Sequence, residues 1–563
     1  MDQITRRGKQ ILIGMFVAVC ACPLSLLAQE YESRVPAELD SRRQLELQTA
    51  VRKMLRGQED VNNPQNKAML NEWFKFYFDR MTVLDHLPQL AEDRSEFFQL
   101  LQQPSSGDST LSKAAHDYIV GITLSYMQGV ADGDKFHPAA RYSAMMMIGG
   151  LNAVEPSVIG DRHAATPYPK ALDSLIGAVL SGTQVDAVRM AALLGILRHA
   201  EHDGRTKSLD ATYRTGLIER LAIPIIKGDL PPGARTPEGQ AWIKRRAIDV
   251  LGALGDIGPD GRAVTALSDI ITDADAPMTM RTTAAMALSK IQIPGGYSVD
   301  ATKLTTSLAE IASRSAHSEL ARLRRLQTRL ANAEKTPSRS TGGFDPVYDE
   351  GVDDMPLDEG IDGEFPDDTG DGGGSYDPYG ESLVTVDAAV REHYKLDLSR
   401  RRLGYRLASV QLALTGEYGA DKSSSLDDAP AHGINKLEAA KGEKTKQLVD
   451  GVAERLRRLF ESLEKPTVRG NATPPTPEEE LQKMVDNMDA AVRELDTVAG
   501  IKPTATTTPA PPTGIEPTEI PGPVGAPAPV GVPGPVGVPG PVSVPGPVGE
   551  PPVAAPAPPT GAP

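Results

Sequence analysis

The sequence predicts an all-α protein: a solenoid of stacked helical hairpins, then an acidic disordered linker, a small C-terminal helical hairpin or bundle, and a disordered Pro-rich tail. Three observations predict it. The segment [Arg/Lys]-x-x-Ala-x-x-x-[Ile/Leu] occurs four times, as RYSAMMMI from Arg141, RMAALLGI from Arg189, KRRAIDVL from Lys244 and RTTAAMAL from Arg281. Offsets 0, 3 and 7 lie along one helical stripe. The starts are 48, 55 and 37 residues apart, a spacing that suits stacked helix pairs. Finally, 47 Pro and 52 Gly are spread so unevenly that the 563 residues divide into folded and unfolded parts.

Residues 1–28 have the layout of a secretory signal. Arg6, Arg7 and Lys9 precede the apolar run Ile11 to Ala21, and Leu26-Leu27-Ala28 offers a cleavage site before Gln29. Pro23 and Ser25 interrupt the stretch before it reaches the roughly 20 apolar residues a membrane span needs. Both cysteines, Cys20 and Cys22, lie within it, and Val19-Cys20-Ala21-Cys22 loosely resembles a lipoprotein processing box, so lipidation at Cys22 is the alternative. Cleavage at Ala28 would leave a mature chain without a thiol, which excludes disulfides, thiolate catalysis and Cys-ligated metals. It would also leave a formal charge of −18. Nucleic acid is not an expected partner, because no basic domain face is available to release counterions.

Residues 29–111 are expected to form a helical capping region. Leu47, Val51, Met54 and Leu55 share a helical face, and Pro64 opens a second run that carries Trp73, Phe74, Phe76, Tyr77 and Phe78. These rings fit a cap over the open end of the first repeat, with a membrane-interface or partner patch as the alternative.

Helix pairs are expected through residues 112–335, with the repeated motif in the second member of each. The pairs are 112–131 with 138–151, 168–181 with 185–200, 208–228 with 238–255, and 261–273 with 277–292. A fifth pair, 301–313 with 316–335, lacks the motif and carries Arg322, Arg324, Arg325 and Arg329, as suits a solenoid end. Pro138 and Pro277 fit first-turn positions, and Gly133, Gly182 and Gly261 mark turns. This stretch resembles HEAT repeats of the armadillo-type α-solenoids, whose second helix commonly carries such an Arg followed by small and branched residues. The resemblance implies a bacterial exported protein with a partner-binding surface. Gly195 and the long gap from Ala200 to Gly239 depart from a regular array. The four bases are expected to form a structural ladder with acids of adjacent turns, Asp134, Asp186 and Asp275 being the nearest.

Residues 336–382 read as a disordered tether. Positions 345–380 hold 13 Asp or Glu and no Lys or Arg, interleaved with Met355, Leu357, Ile361 and Phe365. DDTGDGGG, Asp367 to Gly374, invites weak calcium binding, but position 12 of an EF-hand loop falls on Pro378 or Tyr379 rather than Glu. Residues 383–500 turn helical again. Leu448, Val452, Leu456, Leu459 and Leu463 mark one helix. A second opens on the capping box Thr476-Pro477-Glu478-Glu479 and continues through Leu481, Val485, Met488, Val492 and Leu495. These two are expected to pair with each other or, as a coiled coil, with another chain. Residues 501–563 are Pro-, Gly- and Val-rich. The Gly-led triplets from Gly522 resemble a collagen repeat broken at Ala528 and Ser543, and a single-chain polyproline spacer is the expected form.

No catalytic, cofactor or metal residues can be assigned. There is no phosphate loop, nucleophile elbow or HExxH pair. The nearest approach to a ligand set is His199-Ala-Glu201-His202-Asp203, histidines three apart at a helix end, for which a polar turn is the expected role. His116, His137 and His163 are isolated from one another in the sequence. The expected function is therefore a non-enzymatic cell-envelope scaffold or adaptor, periplasmic or extracellular, that binds a protein or peptide on the solenoid surface. The alternatives are a metal-dependent envelope hydrolase using the His199/His202 region, and a structural component that self-assembles through the collagen-like tail and the heptad helices.

Overall fold

In the computed structural model the described residues are 31–36, 38–103, 107–157, 163–228, 236–294, 297–335, 388–416, 433–437, 440–464 and 475–501. The signal segment with both cysteines, the acidic segment 345–380 with its calcium candidate, and the Gly-led triplets lie outside them. Among the described residues the protein is α-helical, apart from one short two-stranded ribbon.

Three N-terminal helices come first: α1 (Ser41–Leu55), α2 (Pro64–Arg80) and α3 (Leu90–Leu101). Asp40 and Asn63 cap α1 and α2 by accepting from the amides of Arg43 and Gln65. Trp73, Phe74, Tyr77 and Phe78 of α2 are buried, and the Phe78 ring lies 5.2 Å from that of Tyr126 on the helix Ser109–Asp132, so the aromatic cluster is core. Helices α1 and α3 pack on the first hairpin.

Four hairpins follow: α4 (Ser109–Asp132) with α5 (Pro138–Gly150), α6 (Ala171–Leu180) with α7 (Asp186–Thr206), α8 with α9 (Pro237–Leu254), and α10 (Arg262–Thr272) with α11 (Met278–Lys290). Helix α8 runs through three segments, Ala211–Gly216, a π turn at Leu217–Ala222, and Ile223–Lys227. Pro138 is the first residue of α5, whereas Pro277 sits one position earlier, at the N-cap of α11. The ribbon pairs Asn152–Val154 with Thr166–Pro167 in the loop between the first two hairpins. No strand was expected there. Arg198 of α7 ties the start of this loop down by donating to the carbonyls of Gly149 (3.1 Å) and Leu151 (3.3 Å) and to Asn152.

The second helices α5, α7 and α9 stack on their successors in one layer. Small residues set how closely they lie. A Cβ on Gly195 would come within 2.9 Å of the Gly149 Cα, and one on Gly252 within 2.7 Å of the Ala287 Cα. Gly195 therefore does not loosen its repeat, as its helix propensity suggested; its missing side chain is what lets α5 and α7 touch.

Two expectations are corrected at the C-terminal end. Residues 301–335 form one helix, α12 (Ala301–Lys335), rather than a fifth hairpin. Its partner comes from beyond the acidic segment: α13 (Ala388–Thr415) packs against both α12 and α11, completing the pair and extending the second-helix layer. Helices α14 (Glu443–Glu461) and α15 (Pro477–Ala499) pair with each other and close on α12. Asp496 of α15 accepts from the Ser313 hydroxyl and lies 3.0 Å from His317 Nε2, and Arg324 donates to Asp489 at 2.7 Å. The helices on the two sides of the acidic segment thus belong to one compact unit. A tether between separate bodies is not what the segment provides. The Thr476/Glu479 capping box is formed as expected, with 3.2 and 3.1 Å bonds.

Candidate functional site: a basic groove on the second-helix layer

The repeated motif describes the core. Its alanines, Ala144, Ala192, Ala247 and Ala284, and its branched residues, Ile148, Ile196, Leu251 and Leu288, are all buried. Three of its four bases are buried too, and each reaches the end of the first helix of its own hairpin. Arg141 Nε donates to the Ala131 carbonyl (3.1 Å), Arg189 to that of Ser181 (2.6 Å), and Arg281 Nε to that of Ile271 (3.0 Å). These carbonyls have no partner within their helices and form the negative end of the helix dipole, so a guanidinium there satisfies them. Half-buried Lys244 occupies the matching place, its Nζ 3.8 Å from the position of a Cβ on Gly228 at the end of α8.

The ladder of acids predicted for these bases is only partly present. Asp186 pairs with Arg189 at 2.7 Å, within its own helix. Arg141 instead bonds Gln184 of the next hairpin and Arg281 bonds Glu310 of α12 at 3.2 Å. Asp134 and Asp275 lie in turns and are not the bonded partners, because the bases turn toward helix ends rather than toward loop carboxylates.

The histidine cluster separates in space. His199 is buried on α7, and burial, reinforced by the Arg198 and His202 charges, pushes its imidazole down to about 4. His202 is only partly buried and Glu201 faces solvent. Asp203 is fully buried and committed to Arg214 (2.9 and 3.1 Å) and to the Leu209 amide (2.7 Å), fixing the turn into α8. Among the described residues no three metal-capable side chains converge. Of the other histidines, His116 faces Glu155 at 3.2 Å and His137 caps α5 through Nδ1.

The feature that sequence reasoning missed is a depression of about 270 Å³ crossing four successive second helices, α7, α9, α11 and α13. Its walls carry Arg245 and Arg246 from α9, Lys290 from α11, and Arg402 and Arg406 from α13, against two carboxylates, Glu201 and Asp249. Leu197, Met286 and Ala287 contribute apolar surface. Arg246 is held by Asp249 (3.2 Å) and lies 5.0 Å from the Trp242 ring, while Arg402 reaches Glu319 at 3.3 Å. Glu319 is buried and also takes Arg322 at 3.2 Å. Burial lowers the Arg322 pKa first; Glu319 opposes that, and the neighbouring Arg402 and Arg406 charges add to it.

Arg406 is nine-tenths buried, and among the described residues neither it, Arg245 nor Lys290 makes a hydrogen bond or ion pair. Among the described residues the buried Nε atoms of Arg245, Arg246 and Arg402 have no acceptor. Burial pushes the Asp249 carboxyl above its usual range, and the charges of Arg246, Arg245 and Lys290 oppose that shift, so Asp249 is the acid these cations face. The groove wall thus carries five cations against two carboxylates, in a protein whose overall charge is −16. No single stretch of sequence could have disclosed it, because its cations come from segments more than 150 residues apart. No protein-family model, curated protein or solved structure matches this chain.

Proposed function

We propose that this protein is a non-enzymatic scaffold or adaptor of the cell envelope that holds an acidic protein or peptide segment in the groove across α7, α9, α11 and α13. The observation that carries this reading is the excess of cations over carboxylates in the groove, with Arg245, Lys290 and Arg406 gathered on one face of a stacked-hairpin layer. The HEAT-like pattern and the signal-like N-terminus support it, since such stacks serve as extended binding surfaces and the segment 1–28 has the makeup of an export signal.

The test is photo-crosslinking in intact cells. A benzophenone side chain replacing Tyr405, which lines the groove and is 39% exposed, is compared with one replacing Leu180, exposed on α6 in the first-helix layer. The expected outcome is a discrete adduct with another protein from position 405, lost when Arg245 and Arg406 are changed to Glu. Equal adduct patterns from both positions would overturn the reading.

A further inference from the structure

The groove's chemistry selects its occupant more narrowly. Five cations on three successive helices, α9, α11 and α13, span two interhelical steps, or about 20 Å at the usual 8–10 Å packing distance. A single small anion covers only part of that length, whereas an extended chain rising about 3.3 Å per residue covers it with about six residues. The apolar surface from Leu197, Met286 and Ala287 between the charges calls for a segment in which acids flank apolar side chains.

This protein's own sequence contains such a segment. Residues 345–380 hold 13 acids and no base, and within them Asp353-Asp354-Met355-Pro356-Leu357-Asp358-Glu359 sets two acids on each side of Met355 and Leu357. The segment joins α12 to α13, and α13 forms one wall of the groove. From Lys335 to Asp353 is 18 residues and from Glu359 to Ala388 is 29, which extended chain can stretch to roughly 60 and 95 Å. Arg402 lies 14 residues into α13, about 21 Å along the axis, and meets Glu319, which lies 16 residues before Lys335, about 24 Å along α12, so both tethers are long enough. Because both ends are fixed to the same compact unit, docking is intramolecular and is favoured by a millimolar-range effective concentration.

We infer that the acidic segment 345–380 docks in cis into this groove through residues 353–359, and that an external acidic partner binds by displacing it. The inference rests on the groove being a peptide-binding site, as proposed above, and adds its regulation. Proline at 356 suits an extended conformation, and guanidinium groups match carboxylates with two parallel hydrogen bonds.

The test uses the full chain and a variant in which residues 345–380 are replaced by a Gly/Ser segment of equal length. A fluorescent synthetic peptide of residues 345–380 is titrated into each. The replaced chain is expected to bind it at least tenfold more tightly than the wild type, whose site is already filled. Binding should weaken at least tenfold on changing Lys290 and Arg406 to Ala, and with rising salt. Carbodiimide coupling of the wild-type protein should join Lys290 to an acid within 345–380 as an amide, with loss of one water, in a chain that stays monomeric. Variants are compared only where their circular dichroism and melting match the parent, and Lys290→Glu alone, at an exposed position, serves if the double variant does not fold.

Equal peptide affinity in the two chains, or coupling of Lys290 only between different molecules, would overturn the inference. If the position-405 adduct with another protein persists while the peptide fails to bind, the cis docking falls and the scaffold reading stands. If neither the adduct nor the peptide is captured, even in the replaced chain, both fall.

Discussion

At the scale of single residues, the bases of the repeated motif show how a charge is placed usefully in a core. Arg281 is 1% exposed, yet its Nε and one terminal nitrogen meet the Ile271 carbonyl and Glu310. Removing such a side chain would strand buried acceptors, which is why the stripe carries a base rather than another apolar residue. His199 is the opposite case, a titratable group buried without a charge partner. Its folded pKa of about 4 lies below the ordinary 6.5, so the unfolded chain binds more protons between these values. The stability this imidazole contributes is complete above pH 6.5 and is lost as pH falls toward 4. His202, lowered by burial and by Arg205 and Arg198, acts in the same direction. Between pH 7 and pH 5 the His199 share amounts to roughly 2 kcal/mol. Denaturant unfolding at the two pH values should show that loss in the wild type and a smaller one in His199→Phe; identical pH slopes would refute the assignment.

At the scale of elements, helix positions were legible because periodicity, caps and turn residues agreed. The pairs from 112 to 292 were found within a few residues, and Thr476/Glu479 located α15 by its capping chemistry alone. Propensity misled at Gly195, where the cost of a mid-helix glycine is offset by contact with Gly149. Gly252 makes the same kind of contact with Ala287. Gly252→Ala should therefore destabilise by about 1–3 kcal/mol, because the added methyl forces α9 from α11, although alanine is the better helix former. Thermal unfolding checks this, and an unchanged or raised midpoint would show that the helices separate freely. Helix α13 was recognised as helical but not as the fifth second helix. It contains no [Arg/Lys]-x-x-Ala-x-x-x-[Ile/Leu] segment, so nothing local marks it as a member of the stack.

At the scale of the whole molecule, the helices after the acidic segment complete the hairpin stack. Glu319 is 1% exposed on α12 and depends on Arg402 from α13, and Asp496 of α15 holds Ser313 and His317. Ending the chain at Lys335 would bare the faces of α11 and α12 that α13 and α15 cover. Such a truncation is expected to aggregate or to melt well below the parent, and co-expression of residues 383–501 as a second chain should restore it. A truncated protein that melts like the parent would show the C-terminal helices to be independent.

The sequence by itself determined the all-α class, the helix-pair spacing, the burial of the motif's alanines and branched residues, and the positions of α14 and α15, because these follow from periodicity and capping within a few turns of chain, while the partner of those two helices stayed open between each other and another chain. It also supplied the acidic run at 345–380, a property of composition. Only the tertiary structure decided that α13 completes the fifth pair, that the motif bases face helix ends, and that Arg245, Lys290 and Arg406 share one groove. The physical reason is that these depend on which helices share a surface, and a pattern with a period of 3.6 residues carries no information about that, whether the contact lies 8–10 residues away, as for the motif bases, or on helices more than a hundred residues apart, as for Arg245 and Arg406.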